Sequence, residues 1–157
     1  MAGYHLAQLN VARLRAPLDS PQLAGFVAGL EPINALADGA PGFVWRLQTE
    51  DGDATAIRAF DDDMVLVNMS VWESIDMLAD FVYRSDHRSV MQRRREWFER
   101  AEEAYLVLWW VPAGHHPSVD EAKDRLTRLQ RHGPSAEAFT FRAPFPAPGD
   151  REETAPR

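Results

Sequence analysis

Apolar and polar positions alternate over residues 4 to 14, with Ala7, Leu9 and Val11 on one side and Leu6, Gln8, Asn10 and Ala12 on the other, so the chain opens with a strand. The second side is unusually polar for a sheet face. In "LDSPQLAGFVAGL", Asp19 or Ser20 stands at a capping position and Pro21 suits a first helical turn, while Leu23, Phe26, Val27 and Leu30 form a stripe. Pro32 is expected to break or restart this helix, leaving a short second piece through Leu36. The "DGAPG" of Asp38 to Gly42 predicts a turn into a strand over Phe43 to Gln48.

The acidic segment that follows, with Asp61, Asp62 and Asp63, has no spaced ligand pattern and reads as a solvated connection rather than a cation site. Met64 to Trp72 is the clearest strand, with Val65, Val67, Met69 and Val71 facing one way and Leu66, Asn68, Ser70 and Trp72 the other. Ser74 can cap a helix beginning near Ile75, whose pattern runs to Phe98 with a kink or restart at Ser85 or Asp86. "AYLVLWWV", Ala104 to Val111, has no polar alternation and predicts a central strand buried on both faces, ended by Pro112 and Gly114. Ser118 with Glu121 makes a capping box for a helix carrying Val119, Ala122, Leu126 and Leu129 and ending before Gly133. A short strand at Ala138 to Arg142 and a Pro-rich charged tail close the chain.

The order β-α-β-β-α-β with an added C-terminal helix predicts an α+β, ferredoxin-like antiparallel sheet, in a single domain over residues 1–146 with a flexible tail at 147–157. Helices cover one face of such a sheet. The apolar strand face of Ala7, Leu9, Val11, Val65, Val67, Met69 and Val71 would be intolerable in water, which predicts a homodimer.

Composition removes several classes of function. A net charge of −7, from 24 acidic and 17 basic residues, leaves no overall attraction to nucleic acid or anionic membranes. The absence of cysteine removes disulfides, thiolate nucleophiles and Cys-ligated metals. No apolar run is long enough to span a bilayer and the start has no signal-peptide pattern, so a cytoplasmic location is expected. Phosphate-binding glycine loops, dinucleotide fingerprints and nucleophile elbows are missing, and His115 and His116 have no third ligand at metal spacing.

What chemistry remains lies on the helix after Trp72. At about 100° per residue, Val90, Met91, Trp97 and Phe98 define an apolar arc, and His87 and Arg94, two turns apart, fall inside it. An unpaired guanidinium there costs several kcal/mol, so Arg94 needs a carboxylate, backbone carbonyls or a ligand anion. A pocket between this helix and the polar strand positions Gln8, Asn10, Asn68 and Ser70 satisfies all of them together. For either residue alone a structural role, as core histidine or ion-paired arginine, is the commoner meaning.

At "LAQLNVARL", "GFVWRLQTEDGDATAIRAF", "VNMSVWESIDMLADFVYRSDH" and "LWWVPAGHHPSVDEAKDRL" the chain resembles a bacterial family of domains of unknown function, DUF3291, across nearly its whole length. That family is similar to the dimeric α+β barrel superfamily, which includes cofactor-free antibiotic-biosynthesis monooxygenases and haem-degrading monooxygenases. The resemblance implies oxidation of an aromatic or polyketide-like substrate, with Asn10 and Asn68 stabilising an enolate, Trp72 shaping the substrate and His87 moving a proton. Arg94 would hold an anionic oxygen, with Gln8, Ser70 and Met91 as further substrate contacts. No cofactor is required in this form; a haem form uses His87 as axial ligand, and the alternatives are a non-catalytic binder of haem or another hydrophobic ligand, and a plain interaction dimer.

Overall fold

Strand β1, Tyr4–Arg13, is an interior strand of the sheet, and Leu6, Ala7, Gln8 and Leu9 are buried on its two faces. The structure, a computed structural model, describes residues 3–48, 64–84, 94–99 and 105–148, except for the side chains of Arg84, Arg94 and Arg95. After a 3-10 turn at Pro21–Leu23 come helix α1 (Ala24–Asp38), β2 (Phe43–Arg46), β3 (Val65–Trp72), α2 (Ile75–Arg84), the single turn α3 (Arg94–Trp97), β4 (Leu106–Pro112) and α4 (Val119–His132). The strands form an antiparallel four-stranded sheet in the order β2-β3-β1-β4. This is the ferredoxin-like topology that the element order implies.

Register sorts the two faces. Ala7 pairs with Val71 and Trp109, and Leu9 with Met69 and Val107; on this face they pack under Ala122, Leu126 and Leu129 of α4. Val67, Met69 and Val71 are buried in the same cluster, against which Val44, Trp45, Leu47 and Val119 also pack. Helix α4 starts where the capping box places it, with the Ser118 hydroxyl accepting from the Glu121 N–H at 3.1 Å. The Glu121 carboxylate, however, turns away to accept from Trp109 Nε1 at 3.0 Å and to meet His115 Nε2 at 2.7 Å. His116 stacks on Trp45, so both loop histidines fasten α4's entry, and among the described residues no His, Asp and Glu group could hold a metal ion.

On the opposite face α1 is anchored at its two ends. Leu23, just before it, and Phe26 pack with Trp97 and Phe98; Ala37 packs with Trp72, Leu78 and Phe81. Leu30, Ile33 and Asn34 between these anchors stay half-buried. The helix is continuous through Pro32, contrary to the break expected there. Pro32 is exposed, and so is Ala28, whose carbonyl loses its N–H donor, so water can replace the missing bond. At the turn after α1, Gly42 has φ +82°, and a side chain at this position would collide with Met77.

The long helical pattern ending at Phe98 also resolves differently. Ser74 caps α2, its hydroxyl accepting from the Met77 N–H at 3.2 Å, and α2 is described to Arg84. Phe98 is extended: it bridges Leu14, with Arg15 N–H donating to the Trp97 carbonyl at 2.9 Å and Glu99 N–H to the Arg13 carbonyl at 2.8 Å. Aromatic residues satisfy a helical arc and a strand end equally well, and pairing with β1 decides the matter here. At the other end of the chain Phe139 bridges Leu108, closing the free edge of β4 in place of the expected short strand. Among the described residues no helix is long and apolar enough to cross a membrane.

Candidate ligand cleft

The polar strand positions come together in a band across the sheet. Arg46 of β2 pairs with Ser70 of β3, Ser70 with Gln8 of β1, and Gln8 with Leu108 of β4; one step along, Asn68 pairs with Asn10 and Asn10 with Leu106. Phe43, Trp72 and Leu6 lie on one side of this band, Leu66 and Ala12 on the other. A period-two strand puts all of these side chains on the face beneath α1 and α2.

Inside the band every buried group has a partner. Gln8, 4% exposed, donates from Nε2 to Asn68 Oδ1 at 2.7 Å and to Ser70 Oγ at 2.8 Å. Trp72 Nε1 donates to the same Ser70 oxygen at 2.8 Å. Asn10 Nδ2 makes longer contacts of 3.4 Å to Gln8 Oε1 and Asn68 Oδ1. Ser70 Oγ therefore accepts twice and keeps its own proton to donate, while Asn68 Nδ2 has two N–H donors that the network does not use. Asn68 is exposed on this face, so these donors are offered to whatever lies above it.

Above the band is a cleft of about 250 Å³ whose walls include Asn10, Asn68, Ile33, Asn34, Tyr105 and Trp97. On the α1 side it is lined by Phe26, Gly29, Leu30, Ile33 and Asn34. An inner pocket of about 80 Å³ shares Asn10, Asn34, Arg46 and Asn68 with it and reaches Gln8, Ser70 and Trp72. Such a space, mainly apolar with a few convergent polar groups, suits a small organic ligand.

The sequence candidates divide clearly. Asn10 and Asn68 line both spaces, whereas Gln8, Ser70 and Trp72 reach only the inner one. Trp72 is 1% exposed, wedged between Phe43 and Phe81, and its N–H is spent on Ser70, so it is a floor and a clamp rather than an open stacking platform. His87 and Met91 lie outside the described residues; Arg94 begins α3, but its side chain is likewise outside the description.

Arg46 is the residue that alternation misses. It lines both spaces and is the one charged side chain doing so among the described residues. Phe43 pairs with Trp72, yet Trp45 pairs with Val71 and Arg46 with Ser70, so a bulge shifts the register and puts Phe43 and Arg46 on the same face. Strict alternation would send Arg46 to the other side. Its guanidinium donates from Nε to Asp38 Oδ1 at 2.8 Å and from Nη2 to Asp38 Oδ2 at 3.3 Å, across the turn from the end of α1. The need of a cation for a partner could have pointed to this pair, since Asp38 precedes it by one turn connection.

A ferredoxin-like α+β sheet with a ligand-sized cleft under its paired helices defines the class of this protein. The chain belongs to the DUF3291 family, a domain of unknown function, which matches residues 5–155. No curated protein matches it in sequence. Among solved structures it is similar to PA3566 from Pseudomonas aeruginosa, at 10% identity and a TM-score of 0.47 over 73% of this chain and 99% of that one. A candidate antibiotic biosynthesis monooxygenase from Nitrosomonas europaea gives 10% identity and a TM-score of 0.46 over 75% and 97% of the two chains. A monooxygenase from the gene ActVA-Orf6 of Streptomyces coelicolor, solved with Nanaomycin D, gives 16% identity and a TM-score of 0.40 over 74% and 94%. These likenesses are of fold.

Proposed function

We propose that the protein is a small-molecule enzyme of the cofactor-independent monooxygenase type, taking an aromatic or polyketide-like substrate into the cleft. The observation that carries this reading is the amide band: an apolar, aromatic-walled space has at its floor two unused Asn68 N–H donors beside Asn10. A phenol or enol oxygen that becomes negative on losing its proton gains most from such donors, because they are already oriented. The electron-rich carbon of that enolate reacts with dioxygen. One oxygen atom stays on the carbon as a carbonyl; the other leaves as water with two hydrogens from the substrate, so no external reductant is needed.

In this reading His87 carries the proton and Asn68 steadies the oxyanion. Purified protein with anthrone or 1-naphthol in air is expected to consume oxygen faster than buffer, and Asn68→Ala to lower the rate by about tenfold or more. An oxygen electrode decides it. Uptake equal to buffer, or uptake unchanged in both Asn68→Ala and His87→Ala, would overturn the reading. The described cleft walls include no histidine, so a haem form would depend on His87 alone, and a haem titration without a Soret shift removes it.

The homodimer stays part of this proposal, supported by the family resemblance and through a surface other than the one α4 covers. Sizing chromatography is expected to show twice the 17.8 kDa chain mass, and elution at the single mass would count against it.

A further inference from the structure

We infer that the inner pocket takes an uncharged, carbonyl-bearing arm of the ligand, with the Ser70 hydroxyl and the Asn34 amide as its donors, while the ring of that ligand lies in the cleft. This deepens the proposed function by naming a second recognition point on the substrate, and it rests on the cleft being a ligand site.

Ser70 supplies the first observation. Its Oγ accepts from Gln8 Nε2 and Trp72 Nε1, so its own proton, which has no acceptor among the described residues, is left for the inner pocket that Ser70 lines. The residue is 8% exposed, and a buried O–H without an acceptor is costly, so an oxygen belongs beside it.

Asn34 supplies the second, from the helix side. It is half-buried in the middle of α1 and borders both the cleft and the inner pocket, yet its side chain makes no hydrogen bond among the described residues. Asparagine forms helices less readily than alanine or leucine, and no bond of its own amide offsets that here. Arg46 on the same walls already has Asp38 as a partner, so a neutral acceptor suits this space better than an anion.

Size and spacing describe the arm. A pocket of about 80 Å³ beside a cleft of about 250 Å³ has room for a short side group next to a ring. Asn68 lines both spaces and Ser70 only the inner one, and these neighbours on one face of β3 stand roughly 7 Å apart. A ring hydroxyl and a ketone para to it span a similar distance, so a hydroxyl over Asn68 Nδ2 carries the ketone oxygen to Ser70. A hydrocarbon arm of the same shape would fill the pocket and leave both donors unpaired.

The test compares 4-acetyl-1-naphthol with 4-isopropenyl-1-naphthol, which replaces the ketone oxygen by a CH2 group, at a pH that keeps both hydroxyls protonated. Quenching of tryptophan fluorescence reads binding, since Trp97 lines the cleft and Trp72 the inner pocket. The wild type is expected to bind the ketone about tenfold more tightly. Ser70→Ala and Asn34→Ala should each cut that preference to about threefold or less and leave affinity for the hydrocarbon within about twofold, which a merely structural loss would not do. Ser70→Ala takes the acceptor from the Gln8 and Trp72 N–H groups; if it fails to fold, Asn34→Ala decides, because its side chain holds no bond to lose and alanine favours the helix. Equal affinity for the two ligands in the wild type, as a pocket that holds only water would give, or a preference that survives either substitution, would overturn the inference. Binding of neither ligand removes the cleft as a site and this inference with it. Selective binding without oxygen uptake keeps the inner pocket in its role and removes the oxygenase reading alone.

Discussion

Trp109→Ala is expected to destabilise the fold by about 3–5 kcal/mol, which is a large share of the whole stability of an ordinary domain. Trp109 is fully buried and sits at the centre of the face that α4 covers, among Ala7, Val107, Ala122, Leu126 and Leu129. Truncation removes its contacts from both β1 and α4 and leaves a cavity that the paired strands are too constrained to close. It also takes away the Nε1–H from which the Glu121 carboxylate accepts at 3.0 Å. Urea denaturation followed by far-UV circular dichroism measures the loss. Trp109→Phe separates the parts: it keeps most of the ring's burial and drops the hydrogen bond, for about 1 kcal/mol. A loss for Trp109→Ala below about 1 kcal/mol would mean that α4 does not seal this face.

That face also shows where the sequence stops informing. The strand residues Ala7, Leu9, Val11, Val67, Met69 and Val71, and the stripe of Ala122, Leu126 and Leu129, are each legible from period alone, and so is the Ser118 cap. That the second set covers the first is a tertiary fact, because helical period says a face is apolar and not what it meets. Treated separately, the strand face calls for another copy; packed together, the two satisfy each other.

The candidate site follows the same division. Gln8, Asn10, Asn68 and Ser70 are recognisable as a polar strand face, and β1 and β3 bring them into one hydrogen-bonded band because their register is set by the apolar residues between them. A one-residue bulge in β2, which reverses the face of the positions after it, hides Arg46 from a reading by alternation. The helical arc that holds His87, Arg94, Trp97 and Phe98 keeps Trp97 at the end of the single turn α3, whereas Phe98 leaves it to bridge Leu14; both rings pack on Phe26 of α1. Their apolar character is plain from the sequence; that Phe98 leaves the helix depends on the end of β1 being near enough to pair.

Gly29→Leu should change stability and binding in opposite directions. Gly29 lies inside α1 on the cleft wall, and a Cβ built there would meet nothing within 4 Å. Replacing a helix-interior glycine relieves the unfolded chain of conformational freedom and is worth about 0.5–1 kcal/mol, so the denaturation midpoint should rise. The isobutyl group has to go somewhere, and the space next to this position is the cleft. A ligand that needs the same volume must then displace packed methyl groups or shift the helix, at about 2–3 kcal/mol, so 1-naphthol affinity should fall by about a hundredfold. Gly29→Ala is the control, with the same gain in stability but too little bulk to obstruct, and its ligand affinity should stay near that of the wild type. Fluorescence titration and thermal unfolding on the three proteins give both numbers. A Leu variant that is more stable and still binds naphthol as the wild type does would show that ligands enter elsewhere, because no change of fold would then explain an unblocked site.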